Sequence, residues 1–179
     1  MTIACLGWGS LIWRPGDLPH HWRADGPALP IEFARQSRDG RITLVIAADT
    51  NPVTVLWTLL DLNSVDGGRN ALAEREGCAK TAIGYWSPTA SSNLHETDIV
   101  GRWAGQKGIM GVVWTALQPK FGDNYRKPSG DEVVQYLAGL TGDAKVVAEE
   151  YVRRAPAQIR TVYRDRIERE LGWLPTEAE

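Results

Sequence analysis

Apolar residues in this chain change their spacing part-way along it. Through the first two-thirds they come as short runs and alternations; beyond Ser129 they recur at helical intervals. Ile3-Ala4-Cys5-Leu6 is a short, wholly apolar run and predicts a buried strand. Pro15, Pro19, Pro27 and Pro30 make the segment after it an irregular connector. Residues 30–37 alternate well enough for a strand, Asp39-Gly40 signals a hairpin turn, and residues 42–47 supply a β-branched partner. After the turn Asp49-Thr50-Asn51-Pro52, residues 53–61 predict one long apolar strand. Residues 63–68 read as loop. Residues 71–76 are good helix formers, with Gly77 suited to the left-handed position that follows a helix.

Residues 79–86 and 109–117 predict further strands; 88–93 read as a polar loop, and 94–107 show no clear period. Ser129 with Glu132 forms a capping-box pattern ahead of Val133, Tyr136, Leu137 and Leu140, and Gly142 is read as the stop of that helix. Asp143 is the expected cap of the next helix, through Val146, Val147 and Tyr151. Pro156 is expected in the first turn of a further helix, or at a kink. Ile159, Tyr163, Ile167 and Leu171 then form an apolar stripe among arginines and glutamates. Strands before helices, without regular alternation, indicate an α+β class.

Composition narrows the field further. A chain of 179 residues is long enough for a real core and is read as a single domain, 1–179, with packing helices from about 129. A net charge of −2 gives no electrostatic footprint for nucleic acid or an anionic membrane. No apolar run approaches a membrane span, and the N-terminus lacks the basic start and cleavage site of a secretory leader, so the cytoplasm is expected. Cys5 and Cys78 are then expected to be reduced and buried. His20-His21 and His95-Glu96 lack companions at metal-ligand spacing, so no metal is expected. Arg35, Arg38 and Arg41 surround the predicted hairpin, as surface charges or as one contact to an anionic substrate.

The most informative stretch is Leu6-Gly7-Trp8-Gly9-Ser10-Leu11-Ile12-Trp13. Glycine lets the backbone turn sharply and lets another group approach it, so a loop with free N–H groups is expected, a seat for an anionic or carbonyl oxygen. A dinucleotide fingerprint fails, because Ile12 stands where a third glycine is needed. A phosphate-cradling loop fails too, for want of a following Gly-Lys-Ser/Thr. On spacing alone, two glycines beside a strand are no more than a turn.

The full string Gly-Trp-Gly-Ser-Leu-Ile-Trp-Arg-Pro-Gly, residues 7–16, closely resembles the N-terminal signature of the γ-glutamylcyclotransferase superfamily. It is most similar to the ChaC-type, glutathione-degrading branch, whose signature reads Gly-Tyr-Gly-Ser-Leu-Ile-Trp-Asn-Pro-Gly. The departures are Trp8 for Tyr and Arg14 for Asn. The resemblance implies a small mixed β-barrel or strongly curved sheet flanked by helices. It also implies that Gly7, Trp8, Gly9, Ser10, Leu11 and Ile12 hold the γ-glutamyl part of a small substrate. Glu74-Arg75-Glu76-Gly77 resembles the string carrying the family's catalytic glutamate, which corresponds to Glu76. Pro128-Ser129-Gly130 with Tyr136-Leu137 resembles, more loosely, a further segment of the ChaC-type enzymes. It makes Tyr136 a candidate substrate contact, although a helical Tyr commonly packs.

What the resemblance implies is a cofactor-free release of 5-oxoproline, glutathione being the first substrate to consider. The alternatives are an enzyme on the same scaffold acting on γ-glutamyl amines or other amides, and a non-catalytic protein binding a small molecule or partner. A carboxylate suits the cyclisation, because one group can take a proton from the attacking amine and return it to the departing one. Trp8 is either pocket wall or core. The oligomeric state is open.

Overall fold

The computed structural model describes residues 2–176. They gather in two compact units: one runs up to Leu29 and resumes over Thr54–Leu117, and the other comprises Pro30–Val53 with the chain from Gln118 onward. The class is α+β, as the sequence indicates.

The first unit is built on a mixed sheet of four strands in the order β6-β1-β8-β7. Strand β1 (Ile3–Gly7) pairs antiparallel with β6 (Leu56–Leu60) and parallel with β8 (Gly111–Thr115), which pairs antiparallel with β7 (Ile83–Trp86). All five residues of β1 are buried, as its uninterrupted apolar run requires of a strand covered on both faces. The sheet is open, and no barrel closes among the described residues. The long strand read over 53–61 is split: β5 (Val53–Thr54) and β6 flank Val55, whose N–H donates to Pro27 O instead of continuing one ladder. Strand β2 (Ala28–Leu29) pairs with β5 where the chain leaves this unit and returns to it. The segment read as strand from Ala79 opens with a 3₁₀ turn, Lys80–Ala82, before β7 begins.

Helix α1 (Val65–Glu76) starts six residues earlier than the helix formers at 71–76 indicate. Ser64 caps it, its hydroxyl accepting from Gly67 N at 3.0 Å. The glycines that read as loop are inside the helix for a packing reason. A methyl group on Gly68 would lie 3.3–3.4 Å from Leu60, Ile3 and Val113, so its absence lets the helix lie close on the sheet. Leu72 and Ala73 complete that layer with Ile3, Cys5, Leu11, Leu60, Ile83 and Val113. Helix α2 (Thr97–Lys107) fills the stretch that showed no period, burying Val100, Trp103 and Ala104. Gly101 rests against the Trp86 indole, where a methyl group would meet Nε1 at 2.5 Å.

In the second unit β3 (Ile31–Gln36) and β4 (Ile42–Ile46) form the expected hairpin, with an irregularity between Phe33 and Arg35. Helix α3 (Gly130–Ala138) carries the full capping box of Ser129 and Glu132. It ends at Gly139 and not at Gly142, which instead opens α4 (Gly142–Arg154) behind Thr141, the residue at the cap position expected for Asp143. Pro156 lies in neither helix: α4 ends at Arg154 and α5 (Val162–Leu171) starts after its cap, Thr161. Arg164, one of the arginines read as flanking the apolar stripe, is wholly buried. Its guanidinium donates to the carbonyls of Ala155 (2.9 Å), Pro156 (2.6 Å) and Ile159 (3.1 Å), and to Glu168 Oε1 (3.0 Å). It thus supplies donors to carbonyls of the connection between α4 and α5.

Candidate active site

The path of the chain in the first unit dictates what meets the glycine loop. Leu60 pairs with Ile3, so β6 ends beside the start of β1. Helix α1 then runs back across the sheet. Its 12 residues rise about 18 Å, against about 16 Å for the five residues of β1, so its last turn arrives where β1 gives way to the loop. Leu72 and Ala73 share the core cluster with Cys5 and Leu11 on the way.

The loop itself is a tight turn. Ile12 N donates to Gly9 O at 3.0 Å and Arg14 N to Ser10 O at 2.8 Å. The N–H groups of Gly9, Ser10 and Leu11 have no acceptor among the described residues. Trp8 and Leu11 are buried and Ser10 is half-buried, so the turn is anchored by its apolar side chains while its small polar residue stays accessible. Gly7 is fixed by sterics: a methyl group there would sit 2.8 Å from the Trp22 ring and 2.9 Å from Ile12 Cδ1.

Arg75 and Glu76 come from the last turn of α1, ended by Gly77 in the left-handed conformation at φ 61°. The Arg75 guanidinium joins that turn to the loop. Its Nη1 donates to Glu76 Oε1 at 2.6 Å and its Nη2 to Ser10 Oγ at 3.2 Å. Nε and Nη2 both donate to Arg14 O, at 3.0 and 2.6 Å. One planar cation therefore grips the Glu76 carboxylate and both ends of the Ser10–Arg14 turn. The pair is mostly shielded, with side-chain exposures of 13% for Arg75 and 19% for Glu76. Their charges are felt at Cys5 on β1. Burial pushes its thiol well above the usual range, Glu76 pushes it the same way, and Arg75 opposes. Cys5 is an unpaired, buried thiol, as expected, whereas Cys78 is only half-buried.

No family model and no curated protein matches the sequence. A crystal structure of a yeast γ-glutamylcyclotransferase specific to glutathione does match in three dimensions. The alignment covers 96% of this chain and 98% of that one, with a TM-score of 0.51 at 15% identity. The chain has the γ-glutamylcyclotransferase fold. At that identity the likeness is one of architecture.

On this fold, the chain brings Glu76 and the loop residues 7–12 to one end of the first unit. Tyr136 belongs to the second unit, where its hydroxyl donates to Gly40 O at 3.0 Å and its ring meets Phe121 edge-on at 5.8 Å. Arg35 donates to Gln118 O at 2.7 Å and Arg41 pairs with Asp39 at 2.8 Å, so both are engaged within the hairpin unit. His20 and His21 are exposed and stacked on each other at 5.1 Å. No group of three or more His, Cys, Asp or Glu side chains is placed to hold a metal ion among the described residues. The residue missed by sequence reading is Arg75. The only signal for it was its place beside Glu76, since its partners Ser10 and Arg14 are more than sixty positions away.

Proposed function

We propose that this protein is a γ-glutamylcyclotransferase that releases 5-oxoproline from a small γ-glutamyl compound, with glutathione the first substrate to test, and that Glu76 is its general acid and base. The observation that supports this most directly is that one guanidinium binds Glu76 Oε1 and Ser10 Oγ together. The carboxylate thereby lies beside a turn whose N–H groups at Gly9, Ser10 and Leu11 are available to an acceptor.

The chemistry needs little more. Glu76 takes a proton from the substrate's α-ammonium. The freed amine attacks the γ-carbonyl carbon of the same molecule, and a C–N bond closes a five-membered ring. The oxygen that gains charge is held by the loop N–H groups. The original amide C–N bond then breaks as Glu76 returns its proton to the departing nitrogen, and the same carboxylate carries the second proton of the ring nitrogen across, so that the ring is left as a neutral lactam and the amine leaves as an ammonium. The nucleophile is tethered to its target, so proximity supplies much of the rate without an enzyme-bound intermediate.

The test is 5-oxoproline release from a panel of γ-glutamyl peptides and amines, with wild type and Glu76→Gln. Wild type should turn over at least one compound, and the Gln variant should lose about 10²–10⁴-fold in kcat. Equal turnover by both would contradict the assignment of Glu76. Release from amines but not from glutathione would move the substrate class, a point that Trp8 in place of the signature Tyr makes worth testing. Binding without turnover would favour a non-catalytic role.

A further inference from the structure

We infer that Arg75 is a positioning residue, whose fork-shaped guanidinium, and not merely its charge, sets the distance between the Glu76 carboxylate and the substrate loop. The inference rests on the reading of Glu76 given above.

A guanidinium has five N–H donors in one plane. Four are committed here: Nε and one Nη2 hydrogen to Arg14 O, the other Nη2 hydrogen to Ser10 Oγ, and one Nη1 hydrogen to Glu76 Oε1. The acceptors belong to two separate pieces of chain, and none of the four bonds exceeds 3.2 Å. Glu76 is the final residue of α1, immediately before the Gly77 cap, so its side chain stands at the end of the helix. Within the turn, Ile12 N donates to Gly9 O and Arg14 N to Ser10 O. Arg75 is the side chain that ties the end of α1 to the turn.

Gly16, at φ 64°, faces the stem of Arg75: a methyl group added there would lie 3.5 Å from Cγ. A lysine keeps the charge but presents a single ammonium, which cannot span Arg14 O, Ser10 Oγ and Glu76 at once. A misplacement of about 1 Å between a catalytic group and its substrate is enough to cost about a hundredfold.

The experiment compares Arg75→Ala, Arg75→Lys and Glu76→Gln with wild type, using a substrate the wild type turns over. Both Arg75 variants should lose about a hundredfold in kcat, with KM changing much less. Methylguanidinium in the assay should restore kcat to Arg75→Ala in a saturable manner and leave Glu76→Gln unmoved. Independently of activity, the amides of Ile12 and Arg14 should exchange with solvent faster in Arg75→Ala than in wild type, while those of β8 should not. Wild-type kcat in Arg75→Ala or in Arg75→Lys would overturn the inference, as would a loss that methylguanidinium leaves untouched, or unaltered amide exchange in the turn. Wild type that turns over nothing on the panel is a different failure: it refutes the cyclotransferase reading before any Arg75 variant is made.

Discussion

A methyl group at Gly7 would lie 2.8 Å from two ring atoms of Trp22 and 2.9 Å from Ile12 Cδ1. Ile12 Cδ1 ends a flexible side chain and can turn aside, but the Trp22 ring is rigid and must shift as a body. Gly7→Ala should therefore destabilise the protein by about 1–3 kcal/mol, the ordinary cost of overpacking. Gly105 is the control. It lies on the exposed side of α2 with nothing within 4 Å of an added methyl group. Alanine there should stabilise by about 0.5–1 kcal/mol, because the unfolded chain loses freedom and no contact is strained. Urea unfolding of the two variants checks both signs, and a Gly7→Ala protein as stable as wild type would contradict the packing described. At this scale the loop was legible, because Gly, Trp, Ser and Pro in one short string carry their own conformational meaning. Arg75 was not, because nothing local distinguishes a helix-end arginine that reaches a loop from one that reaches water.

Buried charge marks the elements of the second unit. The Glu32 carboxylate on β3 is almost wholly buried. It accepts from its neighbour Phe33 N at 2.8 Å, from the Thr161 hydroxyl, and from Tyr163 N at 3.3 Å in the first turn of α5. Burial raises its pKa above the ordinary 4.5, and those hydrogen bonds oppose the rise without cancelling it. The folded state thus keeps this proton to a higher pH than the unfolded chain does. The stability it confers is complete below about 4.5 and is lost as pH rises through the raised value. Glu32→Gln removes the titration. The difference in unfolding free energy, wild type minus Gln variant, should therefore fall as pH rises from about 4.5 and then level off. A flat difference, or one that grows with pH, would contradict the burial assigned to Glu32.

Helix boundaries were the least legible features at the level of elements, and the causes are specific. Gly67 and Gly68 read as loop, yet Ser64 caps the helix and Gly68 is what lets it lie against Ile3 and Val113. Gly101 and Gly105 dilute the period of α2, although the first of them exists to seat Trp86. The chain around Pro156 is neither the first turn of a helix nor a kink, because a buried Arg164 supplies donors to its carbonyls. In each case a side chain distant in sequence, or beyond the local window, decided where the ladder ends.

For the molecule as a whole, the strand and hairpin pattern was enough to give the α+β class, and the fold agrees over 96% of the chain with that of the yeast enzyme. No described helix is long and apolar enough to cross a membrane. What the pattern could not convey was the run of α1 back along β1, which brings the end of a helix to the start of a loop. The proposed activity depends on that one return of the chain. It also makes a claim about bonds: the substrate's own nitrogen, and not water, displaces the leaving amine. Running the reaction in ¹⁸O-labelled water tests this directly, with products weighed by mass spectrometry for wild type and Glu76→Gln. The account predicts that wild type forms 5-oxoproline free of solvent label and that the Gln variant forms little of it. Glutamate carrying ¹⁸O as the primary product would show that water is the nucleophile, and would contradict the account.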